Sequence, residues 1–295
     1  MAPPAVRSGH GLLRCPVCRL DLAAAPGSLV CPNRHSFDLA REGYVNLLRG
    51  GRHQPAAGGD TSAQLEHRRA FLGSGHFDAI TSVIAGHVQH EGMMPERDCW
   101  HVLDGGFGTG HHLARTVAAL AMPVVGLGLD ISKSAARHAA RRWPGLAFAV
   151  ADLWAEWPVR EATVDLVLSI FAPRNFSETA RVLRRGGWLA VAYPGPEHFR
   201  ELRHRFGLLD HHRHKSERMI ATVTSLIGAT TTVRYRREVT IDGPAVRAAI
   251  MMGPNAHHIG SAVFAADVGE MAVTFDIAIV LAERGARRRH RSRNS

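Results

Sequence analysis

The stretch Val102-Leu103-Asp104-Gly105-Gly106-Phe107-Gly108-Thr109-Gly110 constrains this chain more than any other. A short apolar run ends in a carboxylate, a glycine-rich turn follows, and His111–Leu120 is then helix-compatible. Glycines at 106, 108 and 110 let the backbone turn sharply and approach a ligand at the carboxyl end of a strand, where open α/β sheets bind theirs. The spacing is G-x-G-x-G and departs from the G-x-G-x-x-G of dinucleotide folds. A pyrophosphate cradle is therefore less favoured than a site for adenosyl and amino-acid groups. Taken alone, such a loop is weak evidence, since roughly a third of such loops are mere tight turns.

The surrounding pattern supplies the rest of the sheet. Apolar runs at Trp100–Asp104, Pro123–Asp130, Leu146–Asp152, Val164–Phe171 and Trp188–Tyr193 alternate with helical segments, which predicts a parallel sheet covered on both faces. Thr230–Ile241 and Ala272–Glu283 alternate over longer runs and predict a closing antiparallel pair, with a helix over Asp242–Met252 between them. Upstream, Asp60-Thr61-Ser62 predicts a cap for a helix through Leu65 and Phe71-Leu72, and His76-Phe77 leads into a second helix with Ile80, Ile84 and Val88 on one face. Asp130 closes the second strand, placed to accept two ribose hydroxyl hydrogens. Asp152 closes the third, where its carboxylate or the neighbouring amide of Leu153 meets an adenine amine. Three acidic strand ends in order predict one ligand-binding edge.

Ahead of this core, Cys15-Pro16-Val17-Cys18 and Cys31-Pro32-Asn33-Arg34-His35 form C-x2-C-x12-C-x3-H. Three thiolates and one imidazole on two separate turns match a closed, structural tetrahedral Zn2+ site. Such a metal would fold a segment too short to build its own core. The fourth cysteine, Cys99, has no such partner and reads as a buried thiol.

The organisation expected is a disordered N-terminus (1–11), a zinc module (12–48), a glycine-rich linker (49–59), an α/β domain (60–283) and a basic flexible tail (284–295). The net charge of +10 points to an anionic partner, but six arginines of the tail leave +4 for residues 1–283. The tail reads equally as a phosphate-seeking arm or a solubilising end. The stretch Arg200–Arg218 reads equally as a phosphate-binding cleft or a solvated helix face, and Arg137, Arg141 and Arg142 read as surface. No run approaches the ~18 apolar residues of a membrane span, and the first residues lack a signal-peptide profile, so a cytoplasmic protein is expected.

The loop with Asp130 and Asp152 resembles class I S-adenosylmethionine-dependent methyltransferases, which implies a Rossmann-like, mostly parallel seven-stranded α/β sheet. Further segments sharpen the likeness: Ser36–Leu48 after the cysteines, Arg68-Arg69-Ala70-Phe71-Leu72, and Tyr193-Pro194-Gly195-Pro196-Glu197-His198. With them, the chain resembles the bacterial large-subunit (23S) rRNA guanine-N1-methyltransferases, specifically the tylosin- and mycinamicin-resistance branch. That resemblance implies methylation of a guanine in hairpin 35 of 23S rRNA, a zinc module engaged in RNA recognition, and a homodimer. It implies zinc ligation by Cys15, Cys18, Cys31 and His35. It implies contact with the S-adenosyl-L-methionine donor from Phe77, from Asp104 and the Gly106, Gly108, Thr109, Gly110 and His111 loop, from Asp130, Asp152 and Leu153, and from His198. Phe77 stands where relatives often carry tyrosine.

Guanine N1 carries a proton, so something must remove it before or during transfer. No residue stands out as the base, and His198 is a candidate only by placement. Phe171-Ala172-Pro173-Arg174-Asn175 is not the Asn/Asp-Pro-Pro-Tyr form used on exocyclic amines. Phe171 could stack on the target base or belong to the core. A small-molecule methyltransferase and a non-catalytic RNA-binding protein remain as alternatives.

Overall fold

The computed structural model describes residues 8–49, 59–91, 98–208, 215–253 and 268–285. Three short strands, β1 (Ala23–Ala25), β2 (Ser28–Val30) and β3 (Ser36–Asp38), form a small antiparallel sheet, and β4 (Val45–Asn46) follows. Then come α1 (Ser62–Gly73), α2 (Asp78–Glu91), β5 (Trp100–Gly105), α3 (His111–Ala119), β6 (Val124–Asp130), α4 (Lys133–Arg142), β7 (Ala147–Val150) and β8 (Val164–Ile170). The chain ends with α5 (Phe176–Val182), β9 (Leu183–Pro194), α6 (Arg200–Phe206), α7 (Lys215–Leu226), β10 (Thr230–Ile241), α8 (Gly243–Met251) and β11 (Met271–Glu283).

The main sheet runs β10-β11-β9-β8-β5-β6-β7-β4. It is parallel from β9 to β4, while β11 pairs antiparallel with both β9 and β10. Strand order reverses beside β5, so the loop after that strand lies at a topological switch point. The expected antiparallel pair and the helix between its strands both form, with Asp242 capping α8 through the Ala245 amide. Thr61 caps α1 in a reciprocal capping box with Gln64.

Alternation along the strands splits the core into two layers. On β8 and β9, Leu166, Leu168, Ala190 and Ala192 face the layer containing Phe71, Phe77, Ile80 and Ile84 from α1 and α2. Val167, Leu189 and Val191 face the other layer, which holds Met219 and Val223 of α7 together with Leu12, Cys15, Leu22, Leu29 and Cys31. The cysteine module therefore covers one face of the sheet.

Two expectations change accordingly. The sheet has eight strands, because β4 adds to the β7 edge by parallel pairing, reinforced by the Leu47 amide donating to Val150. Residues 8–11, expected to be disordered, belong to a 3-10 turn, Ser8–Leu12, with His10 and Leu12 buried. A Cβ at Gly9 would meet the Gly126 carbonyl at 2.5 Å and Ala147 at 2.7 Å, so this turn lies directly on β6 and β7. Of the other expected segments, residues 1–7, most of the linker (50–58), part of the basic stretch (209–214) and the tail from 286 lie outside the described residues. Among the described residues, no helix is long and apolar enough to cross a membrane.

Candidate functional site

The glycine loop leaves β5 and enters α3 through three left-handed residues, Gly106 (φ 91°), Gly108 (φ 52°) and Gly110 (φ 72°). A Cβ at Gly106 would lie 2.5 Å from that of Ala172, and one at Gly110 would lie 2.9 Å from the Trp143 ring, so both turns are sterically closed to side chains. The loop opens on a cavity of about 410 Å³. Gly106, Gly108 and Thr109 line it, as do Phe77 from the turn before α2 and His198 from the turn after β9.

The remaining expected residues sit elsewhere. Asp104 is buried at the end of β5; burial, with the neighbouring Asp130 carboxylate, pushes its pKa up to about 8, so its carboxyl is protonated at neutral pH in the ligand-free protein. Asp130 accepts from the amides of Gly108 (3.0 Å) and Ser132 (2.9 Å), and its carboxylate thus braces the loop. Burial raises its pKa as well. Gly110 packs inward and His111 pairs with Asp78 at 3.1 Å. Leu153 is buried beside Gly105 and Gly106. Asp152 accepts from the Trp154 amide at 2.8 Å and lines a second cavity of about 310 Å³ between the sheet and the cysteine module. Asp104 and Asp130 thus stand together at the loop, and Asp152 lines the second cavity.

Several lining residues escape a reading by spacing. Arg68 of α1 pairs with Asp60 against the loop and donates to the Met252 carbonyl at 2.7 Å. Arg203 donates to the Pro196 carbonyl at 2.6 Å and to that of His198. His112, buried after the loop, has its pKa pushed down to about 3 by burial, with His111 and Arg68 adding, so its ring is neutral. Phe171 follows β8 with φ 54°, a costly conformation for an aromatic residue, and stays 39% exposed on the cavity wall. Arg174 follows on the same wall, its guanidinium 5.5 Å from the Tyr193 ring centroid.

His198 is fixed by an amide. Its Nδ1 accepts from the Asp276 N–H at 3.2 Å, so the neutral ring carries its proton on Nε2. That tautomer offers a donor at Nε2 and not a base.

The four expected zinc ligands converge. Cys15, Cys18, Cys31 and His35 place one ligand atom each within 4.8 Å of one another, with Nδ1 of His35 at 3.5 Å from Cys15 Sγ and 3.3 Å from Cys31 Sγ. Cys18 and Cys31 Sγ are 3.5 Å apart. A tetrahedral metal with thiolates at about 2.3 Å needs edges of this size. Arg19, just after Cys18, and Arg34, just before His35, turn the chain at φ 64° and 61°. Outside the module, Arg141 and Arg137 of α4 meet Glu42 at 2.6 and 4.0 Å, tying the two parts across the surface.

Comparison with known proteins adds two kinds of likeness. The family model described as "RlmA, N-terminal", a zinc ribbon, matches residues 13–49, and one for a methyltransferase domain matches residues 102–187. A 23S rRNA (guanine(748)-N(1))-methyltransferase of Streptomyces fradiae is 39% identical over 83% of this chain and 86% of its own length. A protein of Micromonospora griseorubida named for the same guanine-N1 activity is 38% identical, over 92% of this chain and 96% of its own. Among solved structures, phosphoethanolamine N-methyltransferase 2 of Haemonchus contortus aligns with a TM-score of 0.46 at 15% identity, covering 77% of this chain and 58% of that one.

Proposed function

The chain belongs to the 23S rRNA guanine-N1-methyltransferase family, and on that premise we propose that its loop cavity is where one guanine N1 receives a methyl group from S-adenosyl-L-methionine. The observation that carries this reading is that the glycine loop and the exposed ring of Phe171 share one cavity, giving a donor end and an acceptor wall within reach of each other.

The donor, when bound, supplies an electrophilic methyl on a sulfonium. The chain's own residues align and shield. The backbone of Gly106, Gly108 and Thr109 would hold the donor, two of the three residues having no side chain to obstruct its approach. Phe77 closes the floor: its ring is edge-on to Phe71 and Phe275, at centroid distances of 5.2 and 5.4 Å. His198, donating from Nε2, suits a carboxylate or carbonyl oxygen. Asp104, Asp130 and the buried Leu153 act from behind the loop by holding its shape, and Gly110 with His111 starts α3. Asp152 belongs with the second cavity, where Arg14, Arg19 and Arg49 gather.

We assign the zinc module to RNA recognition. It presents Val17 and Leu20 exposed, and Trp154, 72% exposed, stands beside the second cavity as a platform on which an unpaired base can stack. Hairpin 35 as the target, the homodimer, a cytoplasmic location and tylosin-type macrolide resistance follow as parts of the same proposal.

Primer extension on undermodified large-subunit RNA incubated with protein and donor tests the target. N1-methylguanine blocks pairing, so one new strong stop is expected within hairpin 35. A stop confined to another hairpin would contradict that assignment.

A further inference from the structure

How guanine N1 loses its proton is the step that the residues named so far leave without an agent. Among the described residues that line the loop cavity there is no carboxylate. His198 uses Nδ1 as an acceptor and carries its proton on the other nitrogen. The remaining charged or titratable side chains on the wall are Arg68, His112, Arg174 and Arg203, with Tyr193 under Arg174. Arg68 is spent on Asp60 and a carbonyl, and Arg203 donates to two backbone carbonyls.

Arg174 differs from these. Among the described residues it meets no carboxylate, and its Nε is buried without a hydrogen-bond partner. The aromatic ring of Tyr193 supports the guanidinium but cannot neutralise it. Its neighbour three residues back is Phe171, held in a left-handed conformation with its ring on the same wall. A partly buried cation without an anion, with one N–H buried and unpartnered, carries a cost, and such a cost persists where a ligand completes the site. Consistent with this, burial lowers the Arg174 pKa from its ordinary value.

Building on the function proposed above, we propose that a guanine stacks on Phe171 and that Arg174 faces its O6, away from the N1 lone pair, stabilising the deprotonated, anionic base as a positioning and electrostatic group. In the balanced step, the N1–H proton passes to water before transfer. The N1 lone pair of the anion then forms the N–CH3 bond while the carbon–sulfur bond breaks, its electron pair staying on sulfur. No side chain need act as the base. A guanidinium can offer two parallel N–H groups to O6 and N7, leaving the N1 lone pair free for the methyl, which a point-charge ammonium cannot.

The test is single-turnover methylation of large-subunit RNA by wild type, Arg174→Gln and Arg174→Lys between about pH 6 and pH 10, with donor affinity measured alongside. Arg174→Gln is expected to be slower by on the order of 100-fold at neutral pH, to gain about tenfold per pH unit, and to approach wild type at the alkaline end. Arg174→Lys should fall between the two, and donor affinity should be unchanged. A glutamine variant that is slower by the same factor at every pH, or not slower at all, would overturn the inference while leaving the function intact. A wild type that methylates no guanine N1 would overturn the function, and the inference with it.

Discussion

Cys31→Ser should cost the protein its zinc and, with it, one face of the main sheet. Structural zinc binding in small modules is worth about 10–16 kcal/mol at neutral pH, far more than the net stability of a typical domain. Here the module is not a detachable bead. Cys15 and Cys31 lie in the same buried layer as Leu103, Leu127 and Leu189 of the sheet, β4 pairs with β7, and the Ser8–Leu12 turn rests on Gly126 and Ala147. Releasing the metal therefore exposes the backs of β6 and β7. The expected result is near-zero bound zinc by elemental analysis, a large fall in thermal midpoint, and proteolytic cleavage in residues 8–49. A Cys31→Ser protein that melts with wild type would show that the layer holds without the metal.

Asp104→Asn should change the stability of the ligand-free protein in a pH-dependent way. The folded protein keeps this carboxyl protonated up to about pH 8, whereas the unfolded chain gives up the proton near 3.8. Between those values the unfolded state binds fewer protons, so this group makes the fold less stable as pH rises. Each pH unit in the window costs about 1.4 kcal/mol at full effect. Asparagine has the shape of the neutral carboxyl and no such proton to lose. The variant should thus gain on wild type by several kcal/mol between pH 5 and pH 9, read as a widening gap in denaturant midpoints. A gap that stays constant across that range would show that Asp104 is ionised in the fold.

The parts of this molecule that a chain reveals without coordinates are those in which local chemistry decides. Three glycines in a five-residue turn after an apolar run, a C-x2-C-x12-C-x3-H spacing, and alternating apolar strands each carry their own physical reason, and each forms as expected. What stayed hidden depends on packing between distant segments. Nothing local in Val45-Asn46 announces a strand, because two residues become one only when β7 offers an edge. Nothing in Ser8–Leu12 announces order, because a glycine pressed against Gly126 looks like any glycine. Asp130 and Asp152 do end or follow their strands as expected, and nearby amides bond both oxygens of Asp130 and one of Asp152, which no spacing reveals. Arg174 passed as one more arginine in a basic protein until its missing partner could be seen.

This chain moves a methyl group from S-adenosyl-L-methionine to N1 of a guanine in 23S rRNA. Incubating the purified protein with methyl-labelled donor and undermodified 23S rRNA, digesting the RNA to nucleosides and separating them tests it most directly. The account predicts the label in 1-methylguanosine. Label in a methylated adenosine, cytidine or exocyclic-amine guanosine, or no label in the RNA at all, would contradict it.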